Sequence, residues 1–342
     1  MRIPHGCVVS WRSLRQHGAN ATPMRGDVKH LRNALTQRSC LLARLAACLL
    51  EDPLHATLIA TRCVALFFAA ILALCITLPA FAASAPAPLR VMSFNVRVPM
   101  DSDGDKRWTV RRTSMVALIK QAHPDVFGTQ ELVQEQAQYL ASHLPAYRWF
   151  GKGRRADGSD EHMGVFYDSN ALSVIESGDF WLSEIPEIPG SSSWNTDLPR
   201  MVTWALFERR NDKRRFYLLN THLPHRDQDE AAREHVARVI LSRIATLPAD
   251  IPVVVTGDFN SDPDQGTYRT LTAVLGDARA HVAKPQGPEK TFQNFTTQPT
   301  RRIDWILFRG LTPTRFSTLD ARSGGILPSD HYPVLAAFEW PQ

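Results

Sequence analysis

From Leu89 onward the chain is a series of short apolar runs, several of which stop at a single polar residue. Leu89-Arg90-Val91-Met92-Ser93-Phe94 alternates like a half-buried strand and ends at Asn95. Residues 125–130 read as a buried strand followed by Glu131, and residues 215–221 as a strand followed by His222. The β-branched run 251–256 delivers Gly257-Asp258-Phe259-Asn260. Asp304 sits inside the apolar run 303–308, and Asp330-His331 precede the run 332–338. Residues 164–167 and 201–207 add two further strands, and helical spacing appears over 108–121, 133–143 and 229–247. Strands and helices mix from end to end without a repeat or an internal boundary. This pattern predicts one α/β domain with mixed sheets. In such a scaffold, residues at strand ends converge on one cleft.

The residue types at those ends limit the chemistry. Carboxylates and an amide are hard oxygen ligands suited to Mg²⁺ or Mn²⁺. Histidines beside carboxylates can move protons or bind phosphate. The sequence has no Gly-x-Ser-x-Gly elbow and no Gly-x-x-x-x-Gly-Lys loop. Metal-assisted hydrolysis of a phosphate ester is the expectation. Each residue alone has a plainer reading: Asn95 as a turn former, Asp330 as a cap, Glu131 as a first-turn acid of the next helix.

The net charge of +5 would suggest a polyanion partner, but it is unevenly spread. Of 39 Lys/Arg and 34 Asp/Glu, nine and three lie before residue 86, which leaves 30 and 31 in the remainder, a net of −1. Bulk attraction to nucleic acid is therefore not built into residues 86–342. All five cysteines (Cys7, Cys40, Cys48, Cys63, Cys75) also precede residue 86, which excludes disulfides, thiolate metal sites and a cysteine nucleophile from the rest. Residues 63–83 carry no charge, follow Arg62, and end with Pro79 and Ala80-Phe81-Ala82, with Ala83-Ser84-Ala85 as a second small-residue site. That order predicts a secretory signal over 63–85, with a membrane anchor as the lesser alternative. Residues 1–62 read as a leader that a start codon called too early would explain. The expected product is secreted or periplasmic.

The ordered motifs Ser93-Phe94-Asn95, Thr129-Gln130-Glu131, Asn220-Thr221-His222-Leu223, Gly257-Asp258-Phe259-Asn260, Arg302-Ile303-Asp304-Trp305-Ile306 and Ser329-Asp330-His331-Tyr332-Pro333-Val334 together resemble the endonuclease/exonuclease/phosphatase superfamily. Gly178-Asp179-Phe180-Trp181-Leu182-Ser183, with Leu198-Pro199-Arg200-Met201 downstream, resembles a secreted bacterial branch. The resemblance implies two packed mixed β-sheets flanked by helices, over residues 86–342. It implies Glu131, Asn95 and Asp330 as metal ligands, for Mg²⁺ or Mn²⁺. It implies His331 at the scissile phosphate with Asp304 orienting its ring, Asp258 activating water, and Asn260 and Arg200 binding phosphate. His222 would be the second catalytic histidine, paired with Glu161.

The leading expectation is a phosphoesterase acting on a mono- or diester, and a nuclease of the same superfamily is the alternative. A non-catalytic binding module on the same fold is the contrasting class; the filled motif positions argue against it. A monomer is expected, with a phosphate-ester substrate, nucleic acid as one candidate, and no protein partner. Plainer roles fall to Asp101-x-Asp103-Gly104-Asp105 as a solvated rim loop, to Arg209-Arg210 as a solvated hairpin edge, and to His225 and His235 as surface residues.

Overall fold

The inner faces of the strands explain why the polar residues gather at one end. In a computed structural model, which describes residues 57, 61–62, 64–67, 87–320 and 325–341, one six-stranded sheet holds β1 (Leu89–Asn95), β2 (Val126–Gln130), β3 (Tyr147–Phe150), β4 (Val165–Asp168), β11 (Thr312–Thr318) and β12 (Val334–Glu339). The other holds β5 (Leu172–Trp181), β6 (Met201–Arg209), β7 (Arg215–His222), β8 (Val253–Asp258), β9 (Gly276–Asp277) and β10 (Asp304–Arg309). The orders are β11-β12-β1-β2-β4-β3 and β5-β6-β7-β8-β10-β9. Among these strands only β1–β2 and β7–β8 pair in parallel. Each needs a crossover, supplied by the helices α1 (Trp108–Ala122) and α3 (Glu230–Ala245). Three more helices follow the chain: α2 (Gln134–His143), α4 (Gly266–Thr272) and α5 (Ala278–His281). α1 stops where His123 turns left-handed at φ 42° and Pro124 follows.

Between the sheets lie Leu89, Val91, Val126 and Val165 on one side and Phe207, Phe216, Leu218, Val254, Ile306 and Phe308 on the other. Outside the first sheet, Met92, Phe94 and Phe127 pack with Met115, Leu118 and Ile119 of α1. Outside the second, Leu219, Val253, Val255 and Trp305 pack with Val236, Ile240 and Ile244 of α3. The two mixed sheets flanked by helices are those the sequence resemblance implied. Residues Ala85–Gln342 form one compact unit.

Because side chains alternate faces, every second residue points inward. Read along each strand, the inward series changes character: Val91, Ser93, Asn95; Val126, Gly128, Gln130; Leu218, Asn220, His222; Val254, Thr256, Asp258. β10 runs the other way, so Asp304 precedes Ile306 and Phe308. The sandwich is dry at one end and polar at the other. A hydrogen-bonded layer separates the two zones. Asn220 donates to the Thr129 carbonyl (2.8 Å), and its Oδ1 accepts from Gln130 (2.7 Å) and Thr256 (3.1 Å). This ties the sheets together, and Gly128 leaves the space for it: a Cβ there would lie 2.2 Å from Asn220 Oδ1.

β3, β5, β9, β11 and the helices α4 and α5 were not anticipated from sequence. β3, β5 and β11 lie toward sheet edges with partly exposed faces, so their apolar alternation is weak. Arg209, expected on a solvated edge, is buried; it donates to the Ala87 carbonyl and stacks on Trp340. Apart from residues 57 and 61–62 the leader lies outside the described residues, as do both candidate cleavage sites, and only 64–67 of the apolar run is described. Among the described residues no helix is long and apolar enough to cross a membrane.

Candidate active site

Strand register assembles the site. Asp258 sits beside His222 across the parallel β7–β8 pair and opposite Asp304 across the antiparallel β8–β10 pair. Asn95 ends β1 beside Gln130, and Glu131 follows one residue on. Ser329 donates to the Asn95 carbonyl at 2.7 Å, which brings Asp330 and His331 against β1. Thus segments more than two hundred residues apart meet at one end of the sandwich. The backbone is strained there: Arg97, Glu131 and Asn260 adopt φ of 56°, 59° and 49°, a geometry that costs energy and clusters at functional sites.

At the centre, Asp258 Oδ2 lies 3.7 Å from both His222 Nε2 and His331 Nε2. It also accepts from Asn95 Nδ2 at 3.0 Å, and Asn95 donates to Glu131 Oε1 at 2.9 Å. Glu131 Oε2 takes the Val98 N–H. His331 Nδ1 and Asp304 Oδ2 are 2.9 Å apart. Asn260 Nδ2 lies 3.1 Å from His222 Nε2, and its N–H donates to Asp258 Oδ1. With the amide donating, the proton of His222 resides on Nδ1.

Environment pushes these groups apart. Burial works against the charge of His331, but Asp304 and Asp258 outweigh it and raise its pKa well above 6.5. His222 is driven the other way by burial, Arg200 and Arg154. Burial lifts Asp258 to about 7. Glu131 is held low despite its burial, through the Val98 N–H, Asn95, His331 and Arg97. Burial raises Asp330 and Glu161. Divergent neighbours of this kind are how one site supplies both acid and base.

All ten residues singled out from sequence meet here, with one correction among them and two at neighbouring residues. Glu161 was expected to pair with His222, yet its oxygen is 3.9 Å from His222 Nδ1. It instead holds Arg154 in a bidentate pair at 2.9 and 3.0 Å, because a planar guanidinium matches a carboxylate better than one imidazole N–H. His225 is not an idle surface residue: its Nδ1 lies 3.2 Å from Arg200 Nη2 on the cleft wall. Asp103, read as part of a solvated loop, grips Arg97 through two hydrogen bonds. Arg97, Arg154 and Arg301 were missed. All three line the cleft, whose volume is about 490 Å³. They sit in loops outside any strand pattern, and only three-dimensional pairing distinguishes them from surface arginines.

Among the described residues, two sets of ligand atoms lie close enough to hold one ion: Glu131, His222 and Asp258, and Asp258, Asp304 and His331. With Asn95 and Asp330 beside Glu131, the donor set is oxygen-rich and fits a hard divalent cation.

Residues 92–331 match the model of the Endonuclease/Exonuclease/phosphatase family, and the chain belongs to that family. An endonuclease/exonuclease/phosphatase structure from Bacteroides vulgatus is 31% identical, with a TM-score of 0.70 over 74% of this chain and 99% of that one. A mannosyl-6-phosphatase from Bacteroides thetaiotaomicron is 29% identical, with a TM-score of 0.69 over 74% of this chain and all (100%) of that one. Protein angel of Drosophila melanogaster is 24% identical over 210 residues, 58% of this chain; the match spans 57% of that curated relative.

Proposed function

We propose that this chain is a divalent-metal-dependent phosphoesterase that hydrolyses a phosphate ester with water. The observation that carries the reading is the register that sets Asp258 between two imidazoles of opposite protonation preference, next to an acid cluster. Glu131, Asn95 and Asp330 would hold Mg²⁺ or Mn²⁺. The ion supplies Lewis-acid polarisation of a phosphoryl oxygen. The remaining steps belong to the protein. His331, kept cationic and oriented by Asp304, places positive charge where negative charge accumulates on the phosphoryl group. Asp258 accepts the proton of the attacking water, with Asn95 and the Asn260 N–H fixing its two oxygens. Neutral His222 and Asn260 line the cleft beside Asp258, and the Arg154–Glu161 pair closes the wall behind His222.

The apolar segment 63–85 supports export, with the enzyme acting outside the cytoplasm; a mature protein starting at Ala83 or Pro86, measured by intact mass, tests this. The catalytic reading is tested by phosphate release from sugar phosphates, nucleotides, DNA, RNA and sphingomyelin, with Mg²⁺ or EDTA. Turnover with Mg²⁺, its loss in EDTA, and a drop of about 10²–10³ in kcat for His331→Ala are expected. A fully active His331→Ala protein would refute its role.

A further inference from the structure

We infer that the cleft selects a terminal phosphate monoester, a dianion, over a phosphodiester, and that Arg200 carries the selection; this rests on the phosphoesterase reading. The other cleft arginines are already neutralised. Arg97 pairs with Asp103, Arg154 with Asp160 and Glu161, and Arg301 with Asp262. Arg200 is different. It is 3% exposed, lines the cleft, and has no carboxylate within ion-pair distance among the described residues. Its Nε and Nη1 are buried without a hydrogen-bond partner, and its Nη2 is spent on His225.

A buried charge without a counter-ion costs several kcal/mol. Glu161, Asp258 and Asp197 act on Arg200 only from beyond ion-pair distance, so an anion in direct contact has to come with the ligand. Arg200 belongs to the loop before β6, beside the His222 that ends β7, so the anion it calls for reaches the reacting end of the cleft. A monoester above its second pKa of about 6 brings close to two negative charges and three acceptor oxygens. A diester brings one charge, two such oxygens and a second ester arm. Arg200 and Arg154 are both nearly inaccessible, at 3% and 4% exposure, so the ligand must present its phosphate end-on to this recess. An internal phosphate of a polymer would carry its second arm into the same recess. The net charge of −1 over residues 86–342 provides no broad basic track for such a polymer either.

The test is calorimetric binding to the full chain in Mg²⁺ at pH 8, with inorganic phosphate as the dianion and dimethyl phosphate as the diester monoanion. Phosphate should bind at least about tenfold more tightly. Arg200→Gln should shrink that ratio to about threefold or less, and Arg200→Lys should restore part of it. Equal binding of the two anions by the wild-type protein overturns the inference, as does a ratio that survives Arg200→Gln. If Arg200→Gln fails to fold, the wild-type ratio and Arg200→Lys decide. Selective phosphate binding without turnover on any ester would overturn the phosphoesterase reading and leave this one standing.

Discussion

At the residue scale the site works by setting like groups against each other. Two histidines share Asp258, yet one keeps its proton and the other sheds it. The difference is local: His331 faces Asp304 at 2.9 Å, whereas His222 faces Arg200 and Arg154. This has a consequence for stability. The folded pKa of His222 lies below its unfolded value near 6.5, so between the two the unfolded chain binds more protons. Its contribution is intact above pH 6.5 and is lost as pH falls. Asp258, raised to about 7, acts oppositely across part of that interval. The difference between proteins therefore isolates the histidine. In EDTA, His222→Gln should lose less stability than wild type from pH 6.5 to 5, by up to about 1.4 kcal/mol per pH unit. Urea midpoints at both pH values check this; identical slopes would remove His222 as the cause.

At the scale of elements, the decisive device is a gradient along the inner faces of β1, β2, β7, β8 and β10. Apolar residues bind the sheets at one end, and the Asn220–Gln130–Thr256 layer binds them in the middle. Gly128 is the gap that lets Asn220 cross. Gly128→Ala should overpack the layer and cost about 1–3 kcal/mol. For a domain of this size that corresponds to about 2–4 °C in Tm per kcal/mol, measured by calorimetry. An unchanged Tm would mean that the sheets separate easily. Arg111 of α1 serves the same region from outside: wholly buried, it donates to the carbonyls of Val96, Arg97 and Pro328. It thereby joins the loop after β1 to the loop that carries Asp330 and His331.

On the scale of the whole molecule, the acid cluster should couple metal to stability. Binding to the folded chain alone adds RT ln(1 + [L]/Kd), about 2.7 kcal/mol at a hundredfold excess over Kd. Tm should therefore climb with Mg²⁺ concentration in wild type, and Glu131→Gln should flatten the response; equal rises in both would place the ion elsewhere. The near-neutral charge of residues 86–342 also predicts no retention on duplex DNA near 0.15 M salt. Salt-dependent retention of a protein lacking the basic leader would contradict that.

The alternation of apolar residues, and the polar residue at which each run stops, depend on local order in the chain. They made the central strands, α1, α2 and α3, and Asn95, Glu131, His222, Asp258, Asp304 and His331 readable as a set. The edge strands were not readable, because a half-solvated strand has little need of apolar alternation. Nor were Arg97, Arg154, Arg111 and the partnership of Arg200 with His225. What makes those residues matter is which carboxylate or carbonyl each one reaches, and that is set by sheet register and loop packing between distant segments. The sequence by itself determined which chemical groups are available and on which strands they ride. Tertiary structure alone decided which imidazole is charged, which acid is already paired and which arginine is left without a counter-ion, since each depends on burial and on distances of a few ångströms.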